Sequence, residues 1–298
     1  MKFAFSTSWA EGDIERVIAV LPFVQSLEIG SKGDKNFFQE LQTLIAERSI
    51  SVTSVHAVAG PGKKEPDSYY APDFASLDEK KRTGEIELIM ESVEWALALG
   101  SRHIVLHAGR IDGSSFKELN TRCLANTIRG EETAESADLF EEYRGLRKKN
   151  EKEYLEQAAR SLDELCSRFP TAHFCIETRL RHYEIPTLDE MSVLLDLPHR
   201  NLFYWHDVGH TYIQERMGFA SMQSWQVHFK DRCAGAHIHD VDETLTDHYP
   251  PGEGMLDIPW ILRLFDDDTL LTLEINSRND TQSVLRGINR MRDTGIMV

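Results

Sequence analysis

Six apolar segments of the chain each end in a side chain that can bind a metal ion. In chain order these side chains are His56 in SVHA, His107 in VLHAG, Glu177 in CIETR, Asp207 in WHDVGH, His239 in AHIHDVD and Glu274 in TLEIN. A buried carboxylate needs a cationic partner, because an unpaired buried charge is very unfavourable. No matching set of Lys or Arg ends these segments, whereas Glu, Asp and His are ordinary ligands of a divalent cation. The residue types therefore predict a metal centre, provided that the fold brings the segment ends together.

The elements that carry these residues form a repeating pattern. Short apolar or β-branched runs predict strands at 2–7, 26–30, 50–56, 103–107, 173–177, 202–207, 235–239 and 269–275. Between them apolar residues recur every three or four positions, which predicts helices at 13–20, 35–48, 78–99, 151–168, 188–195, 222–230, 258–265 and 281–293. Eight strand–helix units predict an α/β protein with a single (β/α)8 TIM barrel over residues 1–298. All strands of such a barrel end at one mouth, where the six side chains would meet.

A doubly wound open sheet is the structural alternative to the barrel. Its usual glycine-rich turn is missing, since the first turn reads STSWAEGD without a GxGxxG motif. The connections 58–77, 108–132 and 240–257 each follow a predicted strand and are longer than linking requires. They are predicted to be long loops at the carboxyl-terminal face, where barrel enzymes bind their substrates. The charge-rich segment 131–156 is predicted to be a solvated helix face.

Alternation along a strand distinguishes between neighbouring histidines. His237 and His239 share one face of the predicted strand 235–239, because successive side chains point to opposite faces. His239 lies nearer the carboxyl end and is predicted to be the metal ligand. His237 would lie one layer deeper, where it would contact the substrate or a ligating carboxylate. His103 and His173 begin their strands and are predicted to be structural.

Composition limits the classes of function. The net charge is −16, from 49 acidic and 33 basic residues, which disfavours a nucleic-acid partner. The four cysteines include no CxxC pair, so neither a disulfide framework nor a cysteine-rich zinc site is expected. We find no apolar run of about 18 residues and no signal-peptide pattern, and we expect a cytoplasmic protein without a membrane partner. The lack of a nucleotide motif predicts that no organic cofactor is needed.

Several of these motifs together resemble the xylose isomerase-like TIM-barrel superfamily. The matching segments are IETR, HDVGH, HIHDVD, HYPPGEGMLDIPW and LEIN. The resemblance implies a divalent ion (Mn²⁺, Zn²⁺, Mg²⁺ or Co²⁺) held by Glu177, Asp207, His239 and Glu274. It implies an isomerase or epimerase of a small sugar, sugar phosphate or polyol-derived keto compound. A homodimer is also consistent with the family.

The isomerase members of this superfamily move a proton between carbons beside a carbonyl, through an enediolate. On this resemblance Glu177 and Glu274 are the predicted proton-transfer pair as well as ligands. His210 and His237 would bind substrate oxygens. Arg179 would bind a substrate hydroxyl, carboxylate or phosphate, and a salt bridge to a nearby acid is the alternative.

The superfamily also contains AP endonucleases, which makes a multi-zinc phosphodiesterase acting on DNA the alternative function. The additional zinc ligands of that branch correspond here to His56, His107, His210 and His248. Its D-x-H motif is incomplete, because Thr246 replaces the acid and Asp247 lies one position later. The incomplete motif and the acidic charge favour the carbohydrate enzyme, in which these four histidines would bind substrate or a weak second metal. A barrel that only binds is disfavoured because Glu177 and Glu274 are both present.

Overall fold

Eight parallel strands close into a barrel in chain order, and the first strand pairs with the last. The computed structural model describes residues 2–61 and 73–293, and Lys2 by its backbone alone. The strands are β1 (Lys2–Ser6), β2 (Ser26–Ile29), β3 (Ser51–His56), β4 (His103–Leu106), β5 (His173–Glu177), β6 (Leu202–Asp207), β7 (Cys233–Ile238) and β8 (Leu270–Leu273). The predicted (β/α)8 barrel is therefore confirmed.

Ten α-helices surround the barrel within the described ranges. They are α1 (Ile14–Val20), α2 (Lys35–Arg48), α3 (Glu79–Ala98), α4 (Ser114–Arg129), α5 (Ala134–Arg168), α6 (Leu188–Leu195), α7 (Val208–Arg216), α8 (Met222–Phe229), α9 (Ile258–Leu262) and α10 (Thr281–Asp293). Aspartate caps begin several of them: Asp34 accepts a hydrogen bond from the Phe37 amide and Asp78 from the Lys80 amide. Every helix in the described part of the chain is too short or too polar to cross a lipid bilayer.

The segment 108–132 is not a loop, and this prediction was wrong. Helix α4 occupies most of it and buries Phe116, Leu119 and Cys123 at helical spacing. The charge-rich segment 131–156 is helical from Ala134, as predicted, and it is continuous with the predicted helix 151–168 in α5, which runs unbroken for 35 residues. Its buried residues include Leu139 and Tyr143, so the charged segment has one face that packs.

The other two long connections differ in how much of them is described. Residues 62–72 of the connection 58–77 lie outside the described residues, whereas Phe74 and Ala75 of its second part are fully buried. The connection 240–257 contains no helix and is folded back on itself by a bridge between Asp240 and Tyr249. Asp240 is buried and accepts hydrogen bonds from the amides of Val241, Gly252 and Leu256, which fixes the loop after β7.

The barrel interior is filled in layers from one end to the other. At the amino-terminal end Nδ1 of His173 lies 3.2 Å from Nε2 of His103, away from the ends of β4 and β5 where the predicted ligands lie. Above this pair lies a small apolar cluster of Val105, Cys175, Trp205 and Leu270. Gly235 is required beside it, since a Cβ there would lie 2.2 Å from the Trp205 ring. The titratable side chains fill the barrel interior above Trp205.

Candidate metal centre

Four buried side chains meet at the carboxyl-terminal mouth of the barrel. Glu177 ends β5, Asp207 ends β6, His237 lies near the end of β7 and Glu274 directly follows β8. Each offers one ligand atom, and these four atoms all lie within 4.8 Å of one another. The register explains part of this meeting, because Asp207 pairs with His237 across β6 and β7.

His237 lies close to all three carboxylates of this group of four. Its Nδ1 atom lies 2.9 Å from Oε1 of Glu177, 3.0 Å from Oε2 of Glu274 and 3.7 Å from Oδ2 of Asp207. Burial lowers the pKa of His237, but Glu274, Glu28 and the other carboxylates outweigh burial and hold that pKa well above its usual value. The surrounding carboxylates therefore favour the protonated form of His237.

His239, the predicted ligand, is not in the group of four. Its Nδ1 atom accepts a hydrogen bond from the His248 backbone amide over 2.9 Å, and its Nε2 atom lies 2.9 Å from Oδ1 of Asp207. With Nδ1 as an acceptor, Nε2 carries the proton and donates to Asp207. Gly209 provides the space for this ring, since a Cβ at position 209 would lie 2.0 Å from the His239 ring. His239 thus contacts Asp207 from outside the group of four, and the imidazole that could serve as the fourth ligand there is that of His237.

A second group of donors adjoins the first through Glu177. His56, His107 and Glu177 offer ligand atoms within 4.8 Å of one another. Nδ1 of His56 lies 3.3 Å from the Ala57 carbonyl oxygen, and its Nε2 lies 3.7 Å from Oε2 of Glu177. Nε2 of His107 lies 2.6 Å from the same carboxylate oxygen.

A third group shares Asp207 with the first. Asp207, His210 and His248 again offer ligand atoms within 4.8 Å of one another. His210 donates from Nδ1 to the Thr178 carbonyl oxygen over 2.8 Å, and its Nε2 lies 3.5 Å from Oδ2 of Asp247. Nδ1 of His248 lies 3.1 Å from the other oxygen of Asp247. Although Asp247 is one position off the D-x-H motif, its carboxylate still faces both histidines.

Arg179 places a positive charge inside the second group. Its Nη1 atom lies 2.6 Å from Oε2 of Glu177 and 2.7 Å from Nε2 of His107, and its Nη2 lies 3.3 Å from Oε1 of Glu184. The side chain is buried. Of the two interpretations that the sequence left open, the structure shows the ion pair.

The carboxylates of the site are ionised despite their burial. Burial raises the pKa of Glu177, but Arg179 and His107 outweigh it and hold the pKa well below its usual range. Burial likewise raises the pKa of Glu274, and His237 and His248 reverse the effect. Burial and the nearby Arg179 lower the pKa of His107 to about 4, so its imidazole is neutral at neutral pH. Ionised carboxylates are the form that binds a cation.

Glu28 is a buried residue of the site that sequence reasoning missed. It lies in β2, and its Oε1 is 3.1 Å from Nε2 of His237. The sequence did carry a signal, which is an acidic residue within the apolar strand SLEI. Because Glu is almost never fully buried without a partner, a Glu in such a strand indicates a buried partner.

The donor set fits a divalent ion. Three carboxylates and one imidazole converge and are buried, and His237 and Asp207 are also hydrogen-bonded to residues outside the group. Such oxygen and nitrogen donors match the ligation of Mn²⁺, Mg²⁺, Co²⁺ or Zn²⁺. Glu177, Asp207, His237 and Glu274 would hold the ion. Oxygen-rich ligation of this kind leaves the choice among these metals to the protein's environment and to metal supply.

Comparison with known proteins agrees with this architecture. A D-tagatose 3-epimerase-like protein is 17% identical with a TM-score of 0.65, over 99% of this chain and 97% of that one. The 3-keto-D-glucoside 4-epimerase of E. coli is 17% identical with a TM-score of 0.65, over 98% and 99% of the two chains. D-psicose 3-epimerase from Clostridium cellulolyticum H10 is 16% identical with a TM-score of 0.63, over 99% and 91%. At such identities the likeness shows the fold.

No curated protein matches this sequence. The family model described as the xylose isomerase-like TIM barrel does match, and it covers residues 20–294. This match spans every strand from β2 to β8 and all the side chains of the site. The chain therefore belongs to the xylose isomerase-like TIM-barrel family.

Proposed function

We propose that the protein is a divalent-metal-dependent isomerase or epimerase of a small sugar, sugar phosphate or polyol-derived keto compound. One observation carries the proposal: ionised Glu177 and Glu274 approach Nδ1 of His237 to 2.9 and 3.0 Å from different strands. Two carboxylates around one point can each approach one face of a single substrate carbon. That arrangement is what removal and return of a proton require.

The proposed reaction needs charge stabilisation and a base. A divalent ion held by Glu177, Asp207, His237 and Glu274 supplies positive charge that favours loss of a proton beside a carbonyl. Either glutamate, ionised in this molecule, can accept that proton. Glu274 is 8% exposed and Glu177 only 1%, so Glu274 is the carboxylate that a substrate entering from the mouth meets first.

Neighbouring side chains would orient the substrate and the base. His210 uses Nδ1 to hold the Thr178 carbonyl oxygen, so a substrate oxygen would bind at Nε2, beside or in place of Oδ2 of Asp247 at 3.5 Å. Arg179 holds Glu177 in its ionised form and in a fixed direction. In this proposal Arg179 reaches a substrate only by leaving His107, so its first role is to position Glu177.

The similar structures support a carbohydrate-like substrate without specifying it. Their printed names include epimerases of D-tagatose type, D-psicose and L-ribulose. The identities lie between 14% and 17% for these three, so the sugar itself has to be found by assay.

A substrate screen on the metal-loaded protein tests the proposal. The screen would offer ketohexoses, ketopentoses, their phosphates and keto-inositols to wild-type protein and to Glu274→Gln. We expect one of these compounds to be converted by wild-type protein and the variant to lose at least about 100-fold in kcat. Conversion by Glu274→Gln at the wild-type rate would contradict the assigned role of Glu274.

The AP endonuclease-like phosphodiesterase is retained as a second candidate because three donor groups adjoin one another and share Glu177 and Asp207. Such an array could hold several ions around a phosphate. The guanidinium of Arg179 inside one group and the net charge of −16 weigh against it. Cleavage of a duplex containing an abasic site, with no activity on any sugar, would favour this candidate.

A further inference from the structure

One buried carboxylate behind the site has no part in the proposed proton transfer. Glu28 is fully buried, and its Oε1 and Oε2 lie 3.1 and 3.2 Å from Nε2 of His237. Ser54 of β3 donates a hydrogen bond to Oε2 of Glu28 over 2.8 Å. The three residues come from three strands, so the chain Ser54–Glu28–His237 crosses the barrel interior.

The two ring nitrogens of His237 have different partners. Nδ1 faces Glu177 and Glu274 in the group of four, whereas Nε2 faces Glu28. With Glu28 as the acceptor of this hydrogen bond, as it is for the Ser54 hydroxyl, Nε2 of His237 carries the proton. When the ring is neutral, its single proton is thus on Nε2 and the lone pair of Nδ1 points at the carboxylates.

Two neighbouring rings pack against the His237 ring. The His56 ring stacks on it at 5.7 Å between centroids with an interplanar angle of 8°, and the Trp205 ring meets it at 5.4 Å and 65°. Flipping the ring about χ2 would move Nδ1 away from the carboxylates. The hydrogen bond to Glu28 selects the orientation that packing alone leaves two-fold.

We infer that Glu28 is a positioning residue that sets the metal affinity of the site by fixing the tautomer and direction of His237. This inference rests on the proposed metal centre. A purely structural position in β2 would be filled by an apolar residue, as Leu27 and Ile29 on either side are, because burying a charge is costly unless it is paired. Carboxylate partners of ligating histidines affect metal affinity by about 10–100-fold.

Titration with Co²⁺ alone tests the inference on the full-length protein. The variants are Glu28→Gln, Ser54→Ala and the control Glu190→Gln, which removes another buried carboxylate, on α6 and paired with Arg147. We expect Glu28→Gln to raise the Kd for Co²⁺ about 10–100-fold and to change the visible spectrum of the bound ion. Ser54→Ala should raise Kd less, and Glu190→Gln should lower Tm without changing Kd.

The outcomes separate this inference from the proposal on which it depends. Wild-type affinity and spectrum in Glu28→Gln, with a lowered Tm as in Glu190→Gln, would overturn the positioning role while the metal centre stands. If Glu28→Gln does not fold, Ser54→Ala decides, and an unchanged Kd there would overturn the role. A wild-type protein that binds no Co²⁺ would overturn the metal centre itself and the inference with it.

Discussion

The backbone amide of His248 donates to Nδ1 of His239 over 2.9 Å, and this one hydrogen bond decides how His239 is used. The ring must then donate from Nε2, and its acceptor is Asp207 at 2.9 Å. His239 therefore contacts Asp207 from outside the group of four, whereas His237 points a nitrogen into that group.

Replacing each histidine separately distinguishes the two roles. We expect His237→Gln to weaken binding of Mn²⁺ by more than about 100-fold, because a ligand is lost, and His239→Gln to weaken it by about 10-fold, because an orienting partner is lost. Metal competition assays with a fluorescent chelator give both values. Equal affinity in wild type and His237→Gln, with His239→Gln unable to bind, would restore the original prediction of His239 as ligand.

The guanidinium of Arg179 predicts the number of bound ions. It lies against both His107 and Glu177, so the second donor group already holds a positive charge. We expect elemental analysis to find one tightly bound divalent ion in wild type and a second in Arg179→Met. Arg181→Met is the matched control, since Arg181 also pairs with Glu184 but is partly exposed. Three fully occupied zinc sites in wild-type crystals would contradict this prediction and favour the phosphodiesterase.

Metal affinity should fall as the pH falls. The surrounding carboxylates hold the pKa of His237 well above its usual value despite burial, and Nδ1 must lose its proton before it can bind an ion. Below that pKa the Kd should rise about tenfold per pH unit for one displaced proton. Isothermal titration with Mn²⁺ in buffers of different ionisation enthalpy measures the protons released. An affinity that does not change with pH, with no proton released on binding, would show that His237 is already neutral in the free protein.

Glu85 offers a prediction about stability away from the site. It is buried on α3, and its Oε2 has no hydrogen-bond partner among residues 2–61 and 73–293. Burial raises its pKa to about 7. A raised carboxyl pKa favours folding least at high pH, where the folded protein must bury the charge. We therefore expect Glu85→Gln to stabilise the protein by about 1 kcal/mol at pH 8 and by less at pH 5. Urea unfolding at both pH values measures this, and a Glu85→Gln variant less stable than wild type at pH 8 would show that the charge is paired.

The fold could be predicted because its strands are marked strongly in the sequence. All eight predicted strands overlap observed ones, and their ends supply Glu177, Asp207 and, one residue after β8, Glu274. Helix α7 was missed because it begins directly after β6 and Asp207 both ends the strand and caps the helix, accepting from the His210 amide. Helix α4 was missed although Phe116, Leu119 and Cys123 recur at helical spacing, because the whole connection after β4 was interpreted as a substrate loop.

Two features of the site could not be predicted from the sequence. They are the level at which each side chain lies in the barrel and the contacts between residues far apart in the chain. Alternation places His237 and His239 on one face, but β7 ends at Ile238 and a register shift at Tyr204 and Trp205 sets His237 level with Asp207. No local pattern reveals that shift. Glu28 lies 209 positions from His237, so only the closed barrel brings the two together.

The most direct test of the proposed function is deuterium exchange at the substrate carbon. Wild-type protein loaded with Mn²⁺ would be incubated in D₂O with the compound that the screen identifies, and mass spectrometry and proton NMR would follow the hydrogen beside the carbonyl. We predict that one deuterium enters at that carbon during turnover and that Glu274→Gln abolishes its entry. Turnover with no deuterium in the product would contradict proton transfer by Glu177 and Glu274.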